Sequence, residues 1–232
     1  LSNTYKHIFF DLDHTLWDHQ RNADETLSEL FVLFEMEKLG TFTVDQFSQV
    51  FHKINHELWH HYHLGAVDQT FIREQRFKRV LSDLKVEEFK YWEDLGREYL
   101  FRCPRKSNLM PYTIEVLDYL KPRYPMTIIT NGFDEIQDVK MNHSGIQGYF
   151  QRVITSELAG WLKPHRGIFD FALKQSGVAA GETIMIGDNP VTDISGARDA
   201  GIDQVYYNSR DTEHATDSTY TIGDLQELKR VL

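Results

Sequence analysis

The sequence holds one cysteine, Cys103, among 232 residues, so no disulfide forms within the chain and a reducing compartment suits it. It has no apolar run approaching the roughly 20 residues that cross a bilayer, and its N-terminus lacks the apolar core of a secretory signal. It is short of positive charge: 25 Lys and Arg stand against 35 Asp and Glu, a formal net charge of −10. That balance opposes nucleic-acid backbones and anionic membranes but leaves room for a local cationic pocket. Internal repeats and low-complexity segments are also missing. The expectation is a cytoplasmic protein with neither a membrane nor a nucleic-acid polymer as partner. The opening Leu1 in place of Met is expected to reflect trimming of a few residues.

What the chain does have is a globular composition, 41% hydrophobic and 26% charged, and enough length for one large domain or a core with a smaller unit. Its organising stretch is Asp11-Leu12-Asp13-His14-Thr15. The apolar run His7-Ile8-Phe9-Phe10 before it reads as a buried parallel strand. Ligands of open α/β sheets bind beyond the carboxyl ends of the strands, where this pair of carboxylates falls.

The next clear strand, Met126-Thr127-Ile128-Ile129-Thr130, starts about 110 residues later, far beyond an ordinary crossover. The intervening pattern is helical: Leu27, Leu30, Phe31, Phe34; Phe47, Val50, Phe51, Ile54, Leu58; Phe77, Val80, Leu81, Leu84; Phe89, Trp92, Leu95, Tyr99. Thr43-Val44-Asp45-Gln46 has the form of a capping box, and Gly40 and Gly65 read as helix stops. These signals predict a four-helix cap over 18–103, inserted into a core of 1–17 and 104–232. Strands at Arg152–Thr155, Thr183–Ile186, Gln204–Tyr207 and Thr219–Ile222 alternate with helices near 112–121, after Asp134, 165–176, 195–200 and around Leu225. The fold class is therefore α/β, a doubly wound parallel (Rossmann-like) sheet with an inserted helical cap domain.

Four features share the strand ends: Asp11 with Asp13, Thr130-Asn131-Gly132, Lys163-Pro164, and Gly187-Asp188-Asn189 with Asp193. Each has an ordinary structural explanation. Asn-Gly is turn chemistry, Lys-Pro opens helices, and Asp193 has the character of an N-cap. Their joint position at four strand ends argues for a site.

This ordered set resembles the haloacid dehalogenase-like hydrolase superfamily, whose motifs run D-x-D-x-T, a strand ending in Ser or Thr, Lys, and G-D-x-x-x-x-D. The resemblance spans the whole chain. Thr130-Asn131-Gly132-Phe133, Ile154-Thr155-Ser156-Glu157 and Lys163-Pro164 with Ile168-Phe169 resemble the pyrimidine 5′-nucleotidase branch. The resemblance implies a phosphatase in which Asp11 attacks phosphorus and forms an aspartyl-phosphate, while Asp13 serves as acid and then base. It implies that Thr15 holds Asp13, that Thr130 and the Asn131 amide bind phosphate, and that Lys163 supplies positive charge. It further implies Mg²⁺ on Asp11, the Asp13 carbonyl and Asp188, with Asp193 orienting Lys163 or acting through water. The partner so implied is a small phosphorylated substrate, a nucleotide first of all.

The same motifs serve sugar-phosphate phosphatases, mutases and pyrophosphatases. Haloacid dehalogenases lack the acid two residues after the nucleophile, so Asp13 and Asp188 favour phosphoryl chemistry. A different class rests on His56-Glu57-Leu58-Trp59-His60, which matches H-E-x-x-H and makes a zinc hydrolase an alternative, with Glu87 or Glu88 as nominal third ligands. A phospho-receiver would place its phosphorylated Asp after the third strand and would need no cap. Specificity is expected from the cap, with Trp17, His19, Trp59 and Arg76 as pocket candidates; Arg76 lies between core positions of its helix.

Overall fold

The computed structural model describes residues 5–86, 91–209 and 217–232. Six parallel strands form one sheet: β1 (His7–Phe10), β2 (Met126–Thr130), β3 (Arg152–Thr155), β4 (Thr183–Gly187), β5 (Asp203–Tyr207) and β6 (Tyr220–Ile222), in the order β3-β2-β1-β4-β5-β6. β1 is central, with Phe10 opposite Ile128 on one side and Ile186 on the other. Strands β1, β2 and β4 are buried along their whole length, which explains why they read as continuous apolar runs without alternation. Phe9, Ile129, Ile154 and Met185 pack with Ile168, Phe169 and Ala197 of the helical layer. Burying each of the large side chains among them contributes about 1.5–3 kcal/mol.

The chain divides into two compact units, residues 1–19 with 107–232 and residues 20–106. In the first, the helices are α5 (Thr113–Leu120), α6 (Asp134–His143), α7 (Ser156–Ala159), α8 (Arg166–Ser176), α9 (Gly196–Asp199) and α10 (Leu228–Val231). Residues Pro190–Ser195 form a π-helical turn ahead of α9, which the sequence pattern did not announce.

The second unit is helical. Its elements are α1 (His19–Leu33, starting at the unit boundary), α2 (Val44–His63), α3 (Gln69–Asp83) and α4 (Trp92–Arg102). The capping box is formed: Thr43 Oγ1 accepts from Gln46 N, and Gln46 Oε1 accepts from Thr43 N. Gly65 takes the left-handed φ of 70° after α2 that its place as a helix stop requires. Gly40 instead follows a 3₁₀ turn, Met36–Lys38, so it ends no α-helix. Phe47, Phe51, Phe77 and Tyr99 cluster as the aromatic core of this unit. Phe89, Glu87 and Glu88 lie outside the described residues. No helix of the described residues is long and apolar enough to cross a membrane.

Candidate active site

Parallel strands bring their carboxyl ends to one edge, and the motif residues come together there. Asp11 follows β1, Thr130 closes β2, Gly187 closes β4, and Lys163 enters from the loop between α7 and α8. Lys163 is the centre. Its ammonium, only 2% exposed, donates to Asp11 Oδ1 at 2.6 Å, Asp193 Oδ1 at 2.7 Å and the Ile129 carbonyl at 2.8 Å. Those bonds use all three of its donors.

The loop that delivers Lys163 is tied down by Asn131. Its side-chain Nδ2 donates to the Lys163 carbonyl at 2.9 Å, and its Oδ1 accepts from Lys163 N at 2.8 Å. The side-chain amide of Asn131 is thus committed to placing Lys163, which leaves any direct role toward phosphate to its main-chain N–H. Thr130 Oγ1 accepts from Gly132 N at 3.0 Å.

Asp193 is not an N-cap. Asn189 caps the π-helical turn, its Oδ1 accepting from Val191 N and Thr192 N at 2.9 Å each. Asp193, 1% exposed, accepts from Lys163 on one oxygen and from Asn189 N on the other, at 3.0 Å. Thr15 also departs from expectation. Its hydroxyl lies 3.3 Å from Asp11 Oδ2 and 3.4 Å from Asp188 Oδ1, not at Asp13. Asp13 is held by a residue outside every motif, Lys140 of α6, whose Nζ is 2.7 Å from both carboxylate oxygens.

Burial pushes the Asp11 carboxyl up to about 7, with the negative charges of Asp193 and Asp13 adding to the rise and Lys163 opposing it. For Asp13 burial also acts upward, but the charge and hydrogen bonds of Lys140, helped by His19 and His14, hold it below the usual carboxylate range. Lys163 is buried too, yet the two aspartates around it raise its affinity for its proton.

The donor set fits a hard divalent cation. Oxygen atoms of Asp11, Asp188 and Asp193 lie within 4.8 Å of one another. Asp11, Asp13, Asp188 and Asp193 together carry four formal negative charges against the two positive charges of Lys140 and Lys163, an excess that one Mg²⁺ cancels. Asp193 is the more deeply buried, 1% exposed against 7% for Asp11, and its second oxygen is taken by the Asn189 main-chain N–H at 3.0 Å, whereas that of Asp11 meets only the Thr15 hydroxyl at 3.3 Å; Asp11 and Asp188 are therefore better placed as ligands and Asp193 as the anchor of Lys163. The expected third ligand, the Asp13 carbonyl, leaves the chain just before His14, whose φ of 65° turns the backbone sharply.

Trp17 is wholly buried and bridges to Leu109, so it offers no face to an open pocket. His19 is half-buried, with its ring 5.0 Å from that of His14. In the helical unit Trp59 packs edge-on against Tyr62. Arg76 is 5% exposed, its guanidinium 5.3 Å from the Tyr99 ring and 6.0 Å from Phe51, and its buried Nε has no hydrogen-bond partner among the described residues. His56 and His60 are exposed on α2, and among the described residues neither belongs to a cluster of three metal-ligating groups.

Over residues 5–201 the sequence matches the family described as haloacid dehalogenase-like hydrolase. It is 30% identical over 228 residues to the pyrimidine 5′-nucleotidase YjjG of Escherichia coli strain K12, covering 97% of this chain and 96% of that protein. The pyrimidine 5′-nucleotidase PynA of Streptococcus pneumoniae is also 30% identical, over 97% of this chain and 93% of its own. Among solved structures, the HAD-hydrolase YfnB of Bacillus subtilis, crystallised with magnesium, superposes with a TM-score of 0.86 at 26% identity, over 98% of both chains.

Proposed function

The chain belongs to the haloacid dehalogenase-like hydrolases and is a phosphoric monoester hydrolase, and from that premise we propose that it removes phosphate from pyrimidine nucleoside 5′-monophosphates. The observation that carries the chemistry is the placement of Asp11 against Lys163, with the carboxylate of Asp188 beside it. The narrower substrate rests on the two nucleotidases just described, each similar over nearly the full length of this chain, helical unit included.

In the reaction proposed, a carboxylate oxygen of Asp11 attacks phosphorus, and the bond from phosphorus to the ester oxygen breaks. The departing nucleoside oxygen takes the proton of Asp13. Water then loses a proton to Asp13 and attacks the same phosphorus, releasing phosphate and restoring the Asp11 carboxylate. Lys140 beside Asp13 favours the carboxylate form, which suits the second half; the first half draws on the protonated fraction. Asp11 and Asp188, with the Asp13 carbonyl, would hold Mg²⁺, which when bound would supply charge neutralisation at the phosphate. Thr15 steadies Asp11 and Asp188, Lys163 counters the charge of the nucleophile, and Asn131 and Asp193 fix Lys163. Thr130 and the Asn131 main chain bind phosphate oxygens.

The test is kcat/KM for dUMP and dTMP against AMP, a hexose phosphate and pyrophosphate at one Mg²⁺ concentration. Pyrimidine monophosphates are expected to lead. Preference for the sugar phosphate or pyrophosphate overturns the nucleotidase assignment and leaves the phosphatase chemistry standing.

A further inference from the structure

Lysine is among the side chains least often buried, and a buried ammonium costs free energy unless its partners repay it. Lys140 is 6% exposed. It sits near the end of α6, which the sequence places on the outside of the sheet, yet its side chain turns inward. The ammonium lies 2.7 Å from Asp13 Oδ1, 2.7 Å from Asp13 Oδ2, and 4.6 Å from the centre of the Trp17 ring, which is itself wholly buried. A charge-assisted pair to both oxygens and an aromatic face behind the cation define one position for that cation.

Asp13 needs such a partner. It stands just beyond the end of β1, on a turn where His14 has a φ of 65°, and the bridge from Asp13 to Trp17 closes that turn. Asp11 lies two residues before it and raises a like charge against it. Left alone, the Asp13 carboxylate would rotate away from the other acids toward solvent. Lys140 is the group that opposes this.

We propose that Lys140 is a positioning residue: paired to both oxygens of Asp13 and backed by Trp17, it fixes the orientation in which Asp13 meets the ester oxygen and the attacking water. The inference rests on the phosphatase reading of Asp13. It does not depend on which phosphate ester is the natural substrate. No motif includes Lys140, and the Asp13 carboxylate has no other lysine or arginine as a salt-bridge partner among the described residues.

The experiment uses the full-length chain with Mg²⁺ and p-nitrophenyl phosphate, comparing wild type with Lys140→Met, Lys140→Arg, Asp13→Asn and the double variant Asp13→Asn/Lys140→Met. A displacement of a reacting group by an ångström can cost about 100-fold. Lys140→Met is therefore expected to lower kcat by about 10- to 100-fold with KM within about 2-fold of wild type, and Lys140→Arg to recover part of the loss. In the Asp13→Asn background the Lys140→Met change is expected to add almost nothing, because it acts only through Asp13. Thermal melts establish that each variant is folded. Should Lys140→Met not fold, Lys140→Arg against Asp13→Asn/Lys140→Arg gives the same cycle. An unchanged kcat, losses that multiply in the double variant, or a raised KM at constant kcat each overturn the proposal, the last by making Lys140 a direct phosphate ligand. A wild-type protein inert on phosphate esters would overturn the phosphatase reading instead, and is told apart by that control alone.

Discussion

Lys163 and Asp11 are 152 positions apart in sequence and 2.6 Å apart in space, Nζ to Oδ1, with Lys163 2% exposed and Asp11 7%. The contact requires β1 at the sheet centre and the α7–α8 loop folded over the end of β2, so it depends on the whole core being assembled. It also sets the electrostatics. One buried ammonium serves both Asp11 and Asp193, and two further aspartates stand nearby.

The nucleophile is tested by Asp11→Asn, nearly isosteric and unable to form an acyl phosphate. Turnover is expected to fall by about 10⁴-fold or more, the scale seen when a nucleophile is removed. Asp13→Asn should cost about 10²- to 10⁴-fold, the usual range for a general acid–base. Steady-state assays beside thermal melts separate both from misfolding. Near wild-type turnover in Asp11→Asn would falsify the mechanism.

Metal dependence follows from the excess of carboxylates over ammonium groups. Activity is expected to vanish with EDTA and to return with Mg²⁺. Saturating Mg²⁺ at about 100 times its Kd should stabilise the fold by about 2.7 kcal/mol, measured by denaturant titration. Asp188→Asn should abolish that gain. His56→Ala and His60→Ala should change neither result, and activity that followed Zn²⁺ and failed in those variants would revive the zinc hydrolase alternative.

A third prediction concerns stability and pH. Burial, with the charge of Arg152 adding to it, lowers the His7 pKa from 6.5 to about 4, and its ring nitrogen lies 2.9 Å from Thr127 Oγ1. Between these values the unfolded chain binds a proton that the folded chain refuses, so stability is complete above about pH 6.5 and falls as the pH drops toward 4. At pH 5 the penalty is about 2 kcal/mol. Relative to His7→Gln, the wild type should therefore gain about that much between pH 5 and pH 7 in urea titrations. Parallel curves for the two proteins would show that His7 titrates normally.

Much of this was readable from the sequence because buried strands and motif spacings leave strong local signals. Thr183–Gly187 and Met126–Thr130 fall where their apolar runs place them, and the D-x-D-x-T and G-D-x-x-x-x-D spacings locate both acid pairs. Lys140 is not legible in the sequence because a lysine on an outer helix ordinarily points to water, and nothing local distinguishes one that pairs with a residue 127 positions away. Asn131 reads from sequence as a phosphate or turn residue because its bonds to Lys163 span 32 positions and carry no local pattern. From sequence Trp17 is a pocket candidate because a tryptophan beside a motif suits either core or ligand, and only packing decides between them.

The last prediction concerns Gly187, where the requirement for glycine comes from crowding. A Cβ at this position would lie 2.4 Å from Asp193 Oδ2, 2.5 Å from its Cβ and 2.6 Å from its Cγ, all closer than real atoms approach. Asp193 has nowhere to retreat, since it is 1% exposed and has both oxygens engaged, by Lys163 and by Asn189 N. Gly187→Ala must therefore displace Asp193 and strip one acceptor from a buried ammonium whose other two are Asp11 and the Ile129 carbonyl. Overpacking of this kind typically costs about 1–3 kcal/mol, and the freed Lys163 should pull harder on Asp11, weakening it as a nucleophile. The expected outcome is a lower Tm together with a kcat loss of about 10-fold or more, of the order that misplacing a catalytic group produces. Gly181→Ala is the control, because nothing lies within 4 Å of its added Cβ, and it should leave both quantities unchanged. A Gly187→Ala enzyme that melts lower but turns over normally would mean that Asp193 supports the fold alone and that Lys163 does not need it for catalysis.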